Sequence, residues 1–337
     1  MEYLPSVLHV VYASDDKFVE ILGVSLTSLY HNNQDMEDII VYVLDSGISK
    51  DNKEKLLAIS QMYHFKDVIF IPSENIENKL SIKVTVDRGS LSQYARLFVS
   101  SVLPCNVNRI LYLDCDVIVN GSIRDLWNID LQGKTIGALK DAFSKHYRKN
   151  IDLKEKDIMF NSGVMLINLK KWRKNEIENK VLNFIVKRKG RIQQGDQGAL
   201  NAVLSYDTYC LEARFNSVTI FYDFSYEDLM IYRKPPDFYT KEQIQYAVDK
   251  PVIIHFTTSF LSNRAWIKGC NHRYVNEWRK YKNMSPWRSA PLWEDDRPGW
   301  KKKGVEFYKK LPHGLAIRIA GFLQAYGRPF FNRIKIR

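Results

Sequence analysis

Short apolar runs rich in valine and isoleucine alternate with amphipathic stretches along most of this chain. The runs VLHVVYA (7–13), IIVYVLD (39–45), VIFIP (68–72), RILYLDCDVIV (109–119) and VIIHFT (252–257) read as strands. Segments near 16–31, 50–64, 90–103, 170–189 and 196–205 carry helical periodicity between them. Ser90 with Gln93 makes a capping-box pattern ahead of YARLFVSSVL, and Thr240 is placed to cap KEQIQYAV. Strands alternating with helices predict an α/β fold, a mostly parallel central sheet flanked by helices on both faces. From about residue 284 the stretch NMSPWRSAPLWEDDRPGW has the proline and turn-residue density of a connector. The expected division is therefore a main domain over 1–283 and a linker with a small helical basic extension over 284–337.

One run breaks the apolar pattern. In RILYLDCDVIV, Asp114 and Asp116 interrupt an otherwise buried-looking strand, and VIV resumes directly after them. Side chains two apart on a strand point the same way, so the two carboxylates are expected on one face with Cys115 turned to the other. Two ionised carboxylates that close repel unless a proton or a cation sits between them. The plain alternative is a strand end marked by turn-forming acids. In open α/β sheets ligands bind beyond the carboxyl ends of the strands, and Asp15, Asp16 and His255 fall at such ends too. Two Asp oxygens and one His nitrogen suit Mn²⁺ or Mg²⁺, with positions left for phosphate oxygens, better than they suit structural zinc.

The net charge of +12 over 337 residues changes this picture less than it first promises. Residues 297–337 hold eleven Lys/Arg against one acid, Glu306, so ten of the twelve charges lie in the tail. The body is close to neutral, and no nucleic-acid partner is expected. The N-terminus enters a strand almost at once without a basic region ahead of an apolar one, and no apolar run is long enough to span a membrane, so a cytoplasmic protein is expected. The four cysteines lack metal-ligand spacing, and reduced thiols are the expectation.

Six motifs now stand in order: ASDD (13–16), SQYARL (92–97), LYLDCDVIV (111–119), FNSGVMLINLKKW (160–172), GDQGALN (195–201) and HFTTSFLSNRAW (255–266). Together they resemble glycosyltransferase family 8, retaining enzymes of GT-A fold, over roughly residues 6–266, with bacterial galactosyltransferases and glucosyltransferases of surface glycans as the nearest likeness. The resemblance implies a Rossmann-like GT-A domain that moves galactose or glucose from a UDP-sugar to a glycan acceptor with an α-linked product. It makes Asp114, Asp116 and His255 the ligands of Mn²⁺, with Mg²⁺ as the alternative, and puts Cys115 among the donor-binding residues. Ala13 and Asp15 match the positions that receive the uracil, and Arg96 a donor-binding arginine. Asn161 and Asp196 match residues that hold the donor sugar, and Gln197 the glutamine beside the anomeric carbon. Where relatives carry a glycine and then Lys-Pro-Trp after the histidine, this chain has Thr258 and a longer loop ending in Arg264, Ala265 and Trp266; Arg264 takes the place of the lysine that neutralises the leaving phosphate.

A retaining hydrolase needs a carboxylate nucleophile about 5 Å from its acid/base, whereas the matched position here is an amide. Same-face attack guided by the departing phosphate is the expected route, with a transient adduct at Asp196 as the alternative. Two other functions fit parts of the sequence: a haloacid-dehalogenase-like phosphatase with an aspartate nucleophile, and a non-catalytic, membrane-associated glycan-binding subunit. In the tail, Leu315, Ile319, Phe322, Leu323 and Tyr326 make one helical stripe among lysines and arginines. That stripe predicts attachment to an anionic membrane surface, at the inner face of the membrane, against the alternative that it packs on the main domain.

Overall fold

The computed structural model describes residues 7–73, 75–86 and 90–336. The first six residues, on which the reading of the N-terminus partly rests, lie outside them. Among the described residues ten strands form two sheets: β1 Val7–Ser14, β2 Asp38–Asp45, β3 Ile69–Pro72, β4 Arg109–Leu113, β5 Val117–Val119, β6 Ile136–Lys140, β7 Phe160–Asn168, β8 Thr208–Cys210, β9 Ser217–Val218 and β10 Ile253–His255. The larger sheet has the order β3-β2-β1-β4-β7-β6-β8, and the smaller one β5-β10-β9. Within the larger sheet only β7 runs against its neighbours, pairing antiparallel with β4 and β6. The remaining ladders there are parallel. The fold is thus the α/β arrangement with a mostly parallel central sheet predicted from the alternating runs.

Both faces of the sheet are buried, which is why its strands read as continuous apolar runs. Val10 and Tyr12 of β1 and Leu111 and Leu113 of β4 pack into one core cluster; Val11, Ile110 and Tyr112 enter the opposite one. A third cluster joins Leu139 of β6 and Val218 of β9 to Phe221, Leu229, Ile244 and Ile317.

Two local predictions are corrected. The apolar run 109–119 is not one strand: it leaves the larger sheet after Leu113, turns through 114–116 and enters the smaller sheet at Val117. Pairing explains the break, because Val117 lies opposite His255 of β10 whereas Leu113 lies opposite Val164 of β7. The α-helix expected over 90–103 is a 3₁₀ helix over Leu91–Phe98 followed by a single α-turn, Val99–Val102. Ser90 caps it through the Ser92 amide and at the same time donates to Asp15, a tertiary tie that the sequence pattern does not carry. At Thr240 the predicted cap forms, and Gln243 completes it as a capping box, whereas Ser90 makes its cap with Ser92 rather than Gln93.

The stretch read as a connector is anchored. Trp287 is buried in the main core, and an added Cβ at Gly23 would fall within 3.0 Å of its ring. Beyond it come helices Gly299–Lys310 and His313–Phe322, a π-helical turn Leu323–Gly327 and helix Arg328–Ile336. Ala316, Ile317, Gly321, Gln324 and Ala325 are buried against the body. Ser144 and Tyr147 donate hydrogen bonds to the carbonyls of Ala325 and Gln324, at 2.7 and 3.1 Å. The predicted stripe is on the other side: Leu315, Ile319, Phe322, Leu323 and Tyr326 are 50, 42, 62, 57 and 38% exposed. Among the described residues no helix is long and apolar enough to cross a membrane.

Candidate active site

Three strand ends meet at one cavity. Because β7 is antiparallel to β4, its first residues, Asn161 to Gly163, lie beside the last residue of β4, and the Asp114 amide donates to the Gly163 carbonyl at 2.7 Å. From the smaller sheet, β10 brings His255 opposite Val117, and the Phe256 amide donates to the Asp116 carbonyl. The two aspartates thus share a cavity because they occupy a turn between sheets, not because they share the face of one strand.

Oxygens of Asp114 and Asp116 and a nitrogen of His255 lie within 4.8 Å of one another. The tautomer of His255 follows from its neighbours. Asn216 uses its amide NH₂ on Asn161 Oδ1 at 2.9 Å, so its Oδ1 accepts from His255 Nδ1 at 2.9 Å. A neutral imidazole with its proton on Nδ1 turns the Nε2 lone pair toward Asp116 Oδ1 at 3.0 Å and Asp114 Oδ2 at 3.9 Å. Three lone-pair donors facing one point repel until a cation or a proton lies among them. The donor set, two carboxylates and an imidazole oriented by an amide, fits a divalent ion of the Mn²⁺ or Mg²⁺ kind. Glycine at 163 is what lets the three approach: a Cβ there would stand 2.3 Å from His255 Cε1 and 2.7 Å from Asp114 Oδ2.

Arg96 is the hub of the opposite wall. It is buried, and it pairs with Asp114 Oδ1 at 2.7 Å and with Asp196 Oδ2 at 3.0 Å. It also donates to the Gln93 and Ser162 carbonyls and stacks 4.6 Å over the Tyr112 ring. Burial opposes its charge, but the two carboxylates outweigh that and hold its pKa above the ordinary arginine value. With three residues per turn, the 3₁₀ helix stacks Gln93 and Arg96 on one side, and both line the cavity.

Gln197 Oε1 accepts from the Ser162 amide at 3.1 Å, which orients the amide group toward the cavity it lines. Asp196 is buried in the first turn of helix Gly195–Leu204. Asn161 Oδ1 accepts from the Gly163 and Asn216 side, and its amide reaches the buried Asp141. Arg264, from the loop after β10, lies 3.7 Å from Asp116 Oδ2 and donates to Thr258 Oγ1 at 2.8 Å. Ala13 lines the cavity, and its carbonyl accepts from Cys115 Sγ. Burial pushes the Cys115 thiol far above the range of a nucleophile.

Of the predicted site residues, Ala13, Arg96, Asp114, Cys115, Asp116, Asn161, Asp196, Gln197, His255 and Arg264 line this cavity of about 160 Å³. Asp15 stands just behind it, accepting from the Phe18 amide and from Ser90, which does line it. Asp16 points away and binds Ser49 and Asn52. Sequence reasoning missed Phe18, Ser162, Gly163, Asn216 and Asp141. Ser162 and Gly163 lie within the FNSG motif but the resemblance assigns them no role of their own, and Phe18 and Asn216 stand beside apolar runs as ordinary core or cap residues would. Asp141 follows β6, and its strand-end position was the one available signal.

The Glycosyl transferase family 8 profile matches residues 9–267. A putative glycosyltransferase of Haemophilus influenzae is 30% identical over 272 residues, covering 79% of this chain and 74% of that protein. The lipopolysaccharide 1,2-glucosyltransferase of Escherichia coli K12 is 24% identical over 312 residues, covering 91% of this chain and 85% of that one. The crystal structure of the galactosyltransferase LgtC in complex with donor and acceptor sugar analogs superposes with a TM-score of 0.70 at 25% identity, covering 83% of this chain and 96% of that chain. The match over three quarters of the chain, with this likeness of fold, sets aside the dehalogenase-like phosphatase reading.

Proposed function

The chain belongs to glycosyltransferase family 8, and from that premise we propose that it moves galactose or glucose from a UDP-sugar to a glycan acceptor of the cell surface with retention, giving an α-linkage. The observation that carries this reading is the convergence of Asp114, Asp116 and His255 within 4.8 Å at the mouth of a cavity walled by Arg96, Asp196 and Gln197. In this proposal Asp114, Asp116 and His255 hold Mn²⁺, with Mg²⁺ as the alternative. When bound, the ion acts as a Lewis acid toward the diphosphate.

The chain's own residues do the rest. Ala13 and Asp15 take the uracil side, Asp15 through the Ser90 it fixes. Arg264, already oriented by Thr258, offers its guanidinium to charge building on the departing phosphate. Arg96 holds Asp114 and Asp196 in place by pairing with both, a positioning role. Asn161 and Asp196 hold the sugar, and the Gln197 amide lies beside the reacting carbon. The ion pair to Arg96 weakens Asp196 as a nucleophile, which favours attack by the acceptor hydroxyl on the face the phosphate leaves. That hydroxyl passes its proton to the leaving phosphate oxygen.

Residues 1–283 form the catalytic domain in this reading, and 284–337 bring it to an anionic membrane surface at the inner face, using the exposed stripe and the basic residues around it. The test is a screen of UDP-sugars for release of UDP and transfer in Mn²⁺. Activity is expected to vanish in excess EDTA and in Asp116→Asn with the fold retained; full activity in EDTA overturns the metal assignment, and a β-linked product overturns retention.

A further inference from the structure

A second cavity of about 340 Å³ opens directly off the first, and Asn161, Gln194 and Gln197 line both. Its size falls in the range of sites for sugar- or drug-sized ligands, roughly 300–1,000 Å³. Its lining offers amide and carboxylate groups, from Gln197, Gln194 and Asp141. The lining also carries three cations: Arg233 closes helix Tyr226–Arg233, Lys301 comes from helix Gly299–Lys310, and Arg328 opens the last helix.

Those cations are not used up by the fold. None of the three forms an ion pair among the described residues, and Arg233 Nε is buried without a hydrogen-bond partner. Arg233 is nevertheless held in place, its guanidinium 5.1 Å over Phe143 and 5.3 Å over Tyr232. Three cations line a cavity whose lining offers one carboxylate, Asp141; Arg233 favours its charged form, and one carboxylate leaves the positive charge of the lining in excess. Such a gathering of like charge is unfavourable until an anion enters, and guanidinium groups bind phosphate and carboxylate by paired hydrogen bonds. A neutral sugar needs none of this; the amides and Asp141 suffice for its hydroxyls.

We propose that the acceptor carries an anionic group, a phosphate or a carboxylate, close to the sugar hydroxyl that is glycosylated, and that Arg233, Arg328 and Lys301 read it. The assignment rests on the glycosyltransferase reading above, since the cavity is an acceptor site only if the neighbouring one holds the donor. The cations then set acceptor choice, and Gln197 and Asp141 face the reacting sugar.

The test uses the full chain loaded with Mn²⁺ and UDP, so that the donor phosphate site is filled. Glucose 1-phosphate, methyl glucuronide and methyl glucoside are titrated in parallel by calorimetry. One or both anionic ligands are expected to bind about tenfold or more tighter than methyl glucoside, and which of them does so identifies the anion. Arg328→Glu and Lys301→Glu, both at exposed positions, are expected to erase most of that advantage, as is Arg233→Gln. Equal affinity for the three ligands overturns the proposal, and so does an advantage that survives all three substitutions. Displacement of UDP by glucose 1-phosphate overturns it as well, because the sugar phosphate would then be reading the donor site. Phosphatidylglycerol vesicles form the other arm: variants that lose vesicle binding but keep the sugar-anion advantage assign these cations to lipid headgroups instead. Failure of UDP to bind in Mn²⁺ is a separate result that overturns the donor reading itself.

Discussion

Replacing Gly163 with alanine tests the metal-site geometry with a single methyl group. The new Cβ would lie 2.3 Å from His255 Cε1 and 2.7 Å from Asp114 Oδ2, where ordinary contact starts at 3.4 Å, so a displacement of about 1 Å is forced on one or both. His255 has little room to yield, since it is 1% exposed and its Nδ1 is tied to Asn216. Asp114 is tied to Arg96. Metal sites tolerate ligand shifts of only about 0.2 Å, and disturbing ligand orientation costs roughly 10–100-fold in affinity. The backbone accepts alanine here, because Gly163 lies in β7 and is not among the glycines at positive φ. Alanine in a strand gains roughly 0.5–1 kcal/mol over glycine, against about 1–3 kcal/mol for overpacking. The expected signature is therefore a Tm lowered by a few degrees with the cooperative transition kept, and Mn²⁺-dependent UDP binding weakened about tenfold or more. Calorimetric titration of UDP in Mn²⁺, beside a thermal melt, reads both. UDP affinity within about twofold of wild type would refute the claim that glycine is required for the ligands to converge.

Gln197→Ala is expected to lower kcat on the order of a hundredfold while changing the donor KM little, since the amide is proposed to act on charge present only in the transition state; an unchanged kcat makes the residue structural. Phe322→Glu and Phe331→Glu, at positions 62 and 63% exposed, are expected to weaken sedimentation with anionic vesicles on the order of tenfold each without lowering Tm. Unaltered vesicle binding by both removes the membrane role of the stripe. His272 is buried beside Phe256 and Tyr222, and its Nδ1 accepts from the Tyr274 amide. Burial lowers its pKa from 6.5 to about 4. The unfolded chain binds this proton first, so stability is full above about pH 6.5 and is lost as pH falls toward 4, by about 2 kcal/mol at pH 5. His272→Gln is expected to narrow the gap between denaturation midpoints at pH 7 and pH 5, and an unchanged gap refutes the assignment.

The alternating apolar runs determined most of the architecture. Strands buried on both faces must be nearly all apolar, so their positions and the α/β class are written locally, residue by residue. The aspartate pair was legible for the same reason, because charge inside an apolar run is costly unless something uses it. The amphipathic stripe of the tail was legible too, since helical spacing alone puts Leu315, Ile319, Phe322, Leu323 and Tyr326 on one side. Sequence could not say that the small-residue side, through Ala316, Gly321 and Ala325, would dock on the body and leave the stripe outward. It could not say that 109–119 would split between two sheets, because propensity is blind to which partner a strand finds. Arg96 with Asp114 and Asp196, His255 with Asn216, and the cationic gathering of Arg233, Lys301 and Arg328 join residues 18 to 100 positions apart. Such contacts are fixed by chain reversal and register, the antiparallel entry of β7 above all, and only the folded chain brings their charges and lone pairs close enough to constrain one another.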